Sequence, residues 1–156
     1  MIETEAQSLI VHAVEAHGGK ALKLSNRFMT GVADLLVKLP HTPAMVLECK
    51  LHTFSVKTIK DGHSFDDIGC TGPQKKFLRD WHAAGMRAGV VSFVQEHGVG
   101  LRTLRMTIYD YELMEKIGWC GDTYDHGLLG NKSDRFGEIF NQLTNFAEWL
   151  DNMEKK

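Results

Sequence analysis

The pattern of apolar and polar positions predicts an ordered series of helices and strands. Residues 3–17 carry apolar side chains at helical spacing, with Thr4 as a candidate N-cap and two glycines directly after the segment. The stretches at 31–40 and 44–52 are short and apolar, and prolines lie in the loop between them. We expect these two stretches to form strands of one hairpin.

The second half of the chain continues this pattern with a strong helix signature at 72–85. Pro73 lies in its first turn, Gly85 follows its end, and Gln74 lies on its apolar stripe. The other predicted segments are a short strand at 20–26, a mobile loop at 53–72, strands at 88–94 and 101–110, an irregular Gly-rich segment at 118–133 and an amphipathic helix at 135–156.

This order of elements favours an α/β or α+β fold in which helices flank a central sheet. The 156 residues are most simply one domain. Within it we expect a core at about 3–110 and a C-terminal helical extension at about 111–156.

Composition narrows the possible classes of protein. Charged residues make up 24% of the chain and the formal net charge is −2, which is not typical of a general polyanion-coating protein. Any nucleic-acid contact must therefore come from a local basic patch or from bound cations. The three cysteines are odd in number and widely spaced, which favours a reducing cytosol over a disulfide framework or a zinc site. No segment has the apolar length of a membrane helix, and the acidic N-terminus is unlike a signal peptide. We therefore expect a cytoplasmic protein.

The predicted strand at 44–52 is largely apolar but carries two charged side chains. Side chains alternate along a strand, so Val46, Glu48 and Lys50 share one face of the stretch 44–52. Charged groups on a buried strand are costly unless they are paired, solvated or metal-bound. The Glu-x-Lys triplet alone is weak evidence, because an exposed edge strand with a harmless Glu–Lys pair has the same pattern.

The neighbouring carboxylates give this strand a possible chemistry. If the two strands pair, Asp34 and Glu48 converge at one end of the sheet, and a third acidic residue, Glu5 or Glu3, lies in the first helix. Two carboxylates favour a hard cation such as Mg²⁺ or Mn²⁺, which activates water and offsets phosphate charge in an in-line displacement. Lys50 would then orient or deprotonate the attacking water, or hold the phosphate.

The stretches "GVADLLV", "AMVLECK" and "TGPQKKFLRDWHAAGMRAGVV" together resemble the core motif of the PD-(D/E)XK nuclease superfamily. They are most similar to its VRR-NUC branch and to related phage and archaeal junction-resolving endonucleases. The resemblance covers about residues 3–95. Ala33 stands where the family usually has a proline that shapes the turn.

This resemblance implies a restriction-endonuclease-like core with a mixed sheet and a metal-dependent DNA endonuclease activity. It implies that Asp34 and Glu48 bind Mg²⁺ or Mn²⁺ with the backbone carbonyl of Cys49, and that Lys50 is the catalytic lysine. Gln74 would enter the site from the helix N-terminus, where phosphate is also favoured. Glu5 would be a second-metal or water-mediated ligand, with Glu3 as the alternative inside the same helix.

The expected partner is DNA, either branched or duplex. Six basic residues are candidate phosphate contacts, with an ordinary solvated surface as the alternative: Lys23, Lys57, Lys60, Lys75, Lys76 and Arg79. Four-way junction resolution would call for a homodimer, since two strands are then cut symmetrically. The last helix is a candidate dimer element, or it packs on its own sheet. Flap, nick or duplex cutting by the same core, and a catalytically inert binding or inhibitory protein, are the competing functions.

Overall fold

The computed structural model describes residues 1–24, 31–97, 103–131 and 134–155. Within them the helices are α1 (Glu3–Ala16), α2 (Val56–Asp61), α3 (Gly72–Ala83), α4 (Tyr111–Ile117) and α5 (Arg135–Glu154). The strands are β1 (Lys20–Lys23), β2 (Leu35–Lys38), β3 (Met45–Ser55), β4 (Ser64–Phe65), β5 (Arg87–His97), β6 (Leu104–Asp110), β7 (Gly121–Asp122) and β8 (Gly127–Leu128).

Six strands form one mixed sheet in the order β1-β2-β3-β5-β6-β8. The first three strands are an antiparallel meander, and Leu35 pairs with Leu47 across the predicted hairpin. β3 and β5 run parallel, which requires a crossover, and α3 lies within that connection. β6 and β8 then add antiparallel strands. The expected α+β fold, with a central mixed sheet flanked by helices, is confirmed.

The sheet is buried on both faces, as expected around a parallel strand pair. Met45, Leu47 and Cys49 of β3 face one hydrophobic core with α1 and α5, which we call the α1/α5 core. Val46 faces a second core that contains Leu78 of α3 and Met114 of α4, which we call the α3/α4 core. By strand alternation Glu48 and Lys50 face the α3/α4 side, so their charges lie beneath a layer of protein.

The last helix packs on its own sheet rather than standing apart from the core. Ile139, Leu143 and Ala147 of α5 are fully buried in the α1/α5 core. The buried Arg87 at the start of β5 forms ion pairs with Asp151 and Glu154 near the end of α5. These contacts join α5 to the same hydrophobic core as the sheet.

The prediction of a loop over 53–72 is wrong for most of that segment. β3 continues to Ser55, whose side chain caps α2, and β4 pairs with β7 in a separate two-stranded sheet. The His63 N–H donates to Thr123 Oγ1 at 2.8 Å, and the Thr123 N–H donates to the His63 carbonyl at 3.0 Å. The partners that order this polar segment lie far along the chain, so its local sequence has no sign of them.

Several predicted boundaries shift by a few residues. α1 begins at Glu3 with Ile2 as N-cap instead of Thr4, because the Glu5 carboxylate accepts the Ile2 N–H at 2.8 Å. The segment at 118–133 contains β7, β8 and a 3₁₀ turn, and the short helix α4 had no predicted counterpart. Parts of four predicted segments, at 25–26, 101–102, 132–133 and 156, lie outside the described residues. In the part of the chain that is described, no helix combines the length and apolarity needed to span a bilayer.

Candidate active site

Two carboxylates meet at the end of the β2–β3 hairpin. The antiparallel register that pairs Leu35 with Leu47 places Asp34 opposite Glu48. Asp34 Oδ2 accepts the N–H of Cys49 at 2.8 Å, which fixes the carboxylate against β3. Asp34 is 8% exposed and Glu48 only 1%. The structure therefore brings together the two acidic side chains that the sequence singled out.

Burial and the neighbouring Asp34 together change the acidity of Glu48. Burial raises the pKa of Glu48 from 4.5 to about 9, and the neighbouring Asp34 carboxyl adds to the rise, while the Lys50 ammonium opposes it. Glu48 Oε2 is buried and has no hydrogen-bond partner among the described residues. A proton, or a cation in its place, relieves the repulsion between the two carboxylates.

Gln74 connects Glu48 to Lys50. Its Nε2 donates to Glu48 Oε1 at 2.9 Å, and its Oε1 accepts from Lys50 Nζ at 3.1 Å. Lys50 Nζ also lies 3.6 Å from Glu48 Oε1. Because the amide oxygen faces an ammonium and the amide nitrogen faces a carboxylate, each end of the Gln74 side chain meets a group of complementary charge.

The start of α3 holds Gln74 in this position. Thr71 is the N-cap, and its side chain accepts the Gln74 N–H at 3.3 Å. Gln74 Oε1 in turn accepts the Thr71 N–H at 2.9 Å, which completes a capping box. Gln74 therefore both caps its own helix and contacts the candidate site.

Two glycines allow the backbone to close around these side chains. Gly69 has a φ of +98°, and a Cβ there would lie 3.7 Å from Lys50 Cδ. Gly31 has a φ of +82°, and a Cβ there would lie 2.5 Å from the Pro73 Cβ. The residues before β2 can therefore approach the start of α3 only because position 31 has no side chain.

The first helix presents Glu3, rather than Glu5, to the central strand. Glu3 Oε1 accepts the Leu51 N–H at 3.3 Å. Burial raises the pKa of the Cys49 thiol, with further contributions from the negative charges of Asp34 and Glu3. Glu5 instead holds the Ile2 N–H and lies 4.0 Å from the N-terminal ammonium. The structure does not bring Glu5 into contact with Asp34, Glu48 or Lys50.

The backbone of Cys49 borders the carboxylate pair. Its N–H donates toward β2, and in an extended strand the N–H and C=O of one residue point to the same side. The Cys49 carbonyl therefore points to the side on which Asp34 lies. This orientation is compatible with the oxygen ligand that the sequence suggested.

The six basic candidates have different surroundings. Lys76 and Arg79 are exposed and lie 2.6 and 3.8 Å from the carboxylate oxygens of Asp80. Lys75 lies over the ring of Trp119 at 5.3 Å. Lys23 donates to Ser8 Oγ at 2.7 Å and to the Thr4 carbonyl at 3.3 Å, which joins β1 to α1.

Lys57 and Lys60 are exposed on α2, which directly follows β3. Several of the six basic candidates thus already contact a neighbouring carboxylate or carbonyl group.

A buried polar pair beside the site had no signal in the sequence. Ser92 pairs with Lys50 in the β3–β5 register, and its hydroxyl lies 2.7 Å from His126 Nε2. His126 Nδ1 donates to the Asp122 carbonyl at 2.8 Å, so Nε2 accepts the Ser92 hydroxyl. Burial lowers the pKa of His126 to about 4, which keeps the ring neutral near pH 7. The two residues are far apart in the chain and belong to no motif.

The donor set decides which ion the site could hold. No group of three or more His, Cys, Asp or Glu side chains with metal-binding geometry occurs within residues 1–24, 31–97, 103–131 and 134–155. Two carboxylates and a backbone carbonyl are nevertheless hard oxygen donors, and Mg²⁺ commonly binds one or two carboxylates while keeping several waters. Glu48 Oε2, which is buried beside Asp34 and has no hydrogen-bond partner among the described residues, is suited to be a ligand of such an ion.

Comparison with known proteins does not assign this site. No protein-family model matches the chain, and a search of curated proteins also returns no match.

We predict that Glu48 makes the metal-free protein less stable as pH rises. The unfolded chain loses this proton near pH 4.5, whereas the folded protein keeps it up to about pH 9. Between these values the folded state binds more protons, so the free energy of unfolding falls with increasing pH. Urea unfolding in the presence of a chelator should show a steeper fall for the wild type than for Glu48→Gln.

Glu15→Gln, which alters an exposed carboxylate of α1, is the matched control and should follow the wild type. Identical pH profiles for Glu48→Gln and the wild type would show that Glu48 is not protonated in the folded protein.

Proposed function

We propose that this protein is a metal-dependent DNA endonuclease that hydrolyses phosphodiester bonds. The observation that carries the proposal is the burial of Asp34 and Glu48 side by side, with Lys50 and Gln74 hydrogen-bonded at the same place. A purely structural Glu–Lys pair would not need a second buried carboxylate. The residue pattern resembles PD-(D/E)XK nucleases, and the convergence of the four side chains supports that resemblance.

Mg²⁺ or Mn²⁺ is the proposed cofactor. Asp34, Glu48 and the Cys49 carbonyl would hold it. When bound, such a cation lowers the pKa of a coordinated water and offsets negative charge on a phosphate.

The chain's own residues supply position and charge. Gln74 holds the Lys50 ammonium 3.1 Å from its amide oxygen, so the positive charge is directed beside the carboxylate pair. From there Lys50 can orient an attacking water or bind a phosphate oxygen. The N-terminus of α3, a helix of 12 residues, adds partial positive charge on the same side. Asp34 and Glu48 define where the cation lies relative to both groups.

DNA is the proposed substrate, and a homodimer is the proposed assembly. With a net charge of −2, the chain relies on local contacts, and the exposed Lys57 and Lys60 on α2 are candidates for them. Pairing two chains would double this contact area and place two sites on one branched DNA. A phage or bacterial cytoplasm is the proposed location.

Cleavage should depend on a divalent cation and on the site residues. The wild type should nick branched DNA with Mg²⁺ or Mn²⁺. Asp34→Asn and Lys50→Met should lose roughly 100-fold or more in rate, because each removes a charge at the reacting phosphate, while DNA binding persists. Lys38→Met, at an exposed lysine at the end of β2, is the matched control and should cleave normally. Equal cleavage by all variants would remove the site assignment.

A panel of labelled DNA shapes separates the competing functions. Paired, symmetric incisions in a four-way junction indicate junction resolution by a dimer. Equal cutting of linear, nicked and flap substrates indicates a repair or restriction type of nuclease. Binding without cleavage of any substrate, with either metal, indicates an inert binding protein.

The two glutamates of α1 should differ in their effect on cleavage. Glu3→Gln should slow the reaction by about tenfold, because its carboxylate lies at β3 beside Cys49 and Leu51. Glu5→Gln should leave the rate nearly unchanged and cost about 0.5–1 kcal/mol of stability through the weakened cap. Single-turnover cleavage and thermal unfolding measure the two effects. A larger loss of cleavage rate in Glu5→Gln than in Glu3→Gln would place Glu5, and not Glu3, at the site.

A further inference from the structure

A cavity lies on the opposite face of the sheet from Glu48 and Lys50. It is open to solvent, has a volume of about 370 Å³ and is lined by residues of β6, α4 and α5. Ile108, Leu113, Phe146 and Trp149 form its apolar walls. A cavity of this size can hold a small organic molecule.

Asp110 is the charged residue in the lining of this cavity. Along β6 its side chain alternates to the same face as Ile108, toward α5. The residue is only 8% exposed, and its Oδ2 accepts the Glu112 N–H at 3.1 Å as the N-cap of α4. Among the described residues it has no ion-pair partner. Burial raises the pKa of Asp110, while the hydrogen bond from the Glu112 N–H opposes the rise.

The nearby basic side chains already have partners. Arg87 and His82 line a smaller cavity of about 200 Å³ that Asp110 also lines. Arg87 is held by Asp151 and Glu154, and His82 Nε2 lies 3.4 Å from Glu112. Among the residues that the structure describes, the lining of the larger cavity includes no lysine, arginine or histidine. A positive charge on a ligand would therefore complement this cavity, whereas a negative charge would not.

The aromatic residues that line the cavity also favour a cationic ligand. Trp149 is 44% exposed and stacks on Phe146 with ring centroids 6.2 Å apart, so much of the indole surface is open. Aromatic faces attract ammonium and guanidinium groups. The side-chain amides of Gln142 and Asn145 supply neutral hydrogen-bonding groups beside the rings. With a single carboxylate and mostly apolar walls, the cavity does not suit a bare divalent metal ion.

We propose that this cavity binds an organic cation, in which an ammonium or guanidinium group meets Asp110 and an apolar body packs on Phe146 and Trp149. The ligand is either a free amine or the basic side chain of another polypeptide, since both present the same chemistry. The site is independent of the proposed nuclease site, because the two lie on opposite faces of the sheet.

Isothermal titration calorimetry of the full chain with phenethylammonium tests the charge preference. Phenylethanol and phenylacetate are matched neutral and anionic probes of similar shape. The ammonium should bind with one-to-one stoichiometry, the alcohol at least about tenfold more weakly, and the carboxylate more weakly still. N-acetyl-arginine amide, titrated in parallel, separates a preference for a basic side chain from one for a free amine.

Two variants locate the binding. Asp110→Asn keeps an N-capping side chain while removing the charge, so the fold should persist and the affinity should fall by about tenfold or more. Trp149→Leu should weaken binding by about threefold to tenfold. Asp80→Asn, at an exposed carboxylate of α3, is the control and should bind as the wild type does.

Equal affinity for phenylethanol and phenethylammonium would overturn the proposal, as would unchanged binding by Asp110→Asn and Trp149→Leu. Sedimentation equilibrium that shows a dimer abolished by Trp149→Leu, without ammonium binding, would also overturn it and assign the cavity to a second copy of the chain.

Discussion

The repulsion between two buried carboxylates is the constraint around which one face of this protein is arranged. Asp34 and Glu48 lie opposite each other at the end of a hairpin, and burial denies them the water that would otherwise screen their charges. Three groups reduce the free-energy cost of burying these two carboxylates. The Cys49 N–H binds Asp34, the Gln74 amide binds Glu48, and the Lys50 ammonium lies beside both the amide and Glu48. Within the described part of the chain, one oxygen of Glu48 still has no hydrogen-bond partner, and this is where a cation is proposed to bind.

The fold keeps this arrangement in place by covering it. Gly69 lies beside the aliphatic part of the Lys50 side chain. The segment that contains Gly69 is held in place by the pairing of β4 with β7 and by the hydrogen bond from His63 to Thr123. The neutral His126 accepts the Ser92 hydroxyl beside Lys50 in the β5 register. Hydrogen bonds and packing from distant parts of the chain thus protect a charged group that the local strand alone would leave exposed.

The sequence predicted the elements whose signals are local. Alternation along β3 placed Glu48 and Lys50 on one face, and the apolar stripe of α3 placed Gln74 near its start; both features follow from helix and strand periodicity. The capping box of Thr71 and Gln74, which was not predicted from the sequence, is also a local feature, because its residues are three apart.

The sequence did not predict features that depend on contacts between distant residues. The segment at 53–72 is ordered by Thr123 and Asp122, and its own polar composition resembles a loop. The choice between Glu3 and Glu5 depends on the angle at which α1 crosses β3, which no periodicity encodes. α4 is too short, at seven residues, for a helical period to stand out.

The most direct test of the central claim is the ionisation of Glu48 itself, followed by carboxyl ¹³C NMR on selectively labelled protein. Without divalent cations, the account predicts that Glu48 stays protonated at neutral pH, and that Mg²⁺ releases the proton as the cation takes its place between the carboxylates. An ordinary titration near pH 4.5 that Mg²⁺ leaves unchanged would contradict it, because the two acids would then be separated or solvated and no cation would be needed to join them.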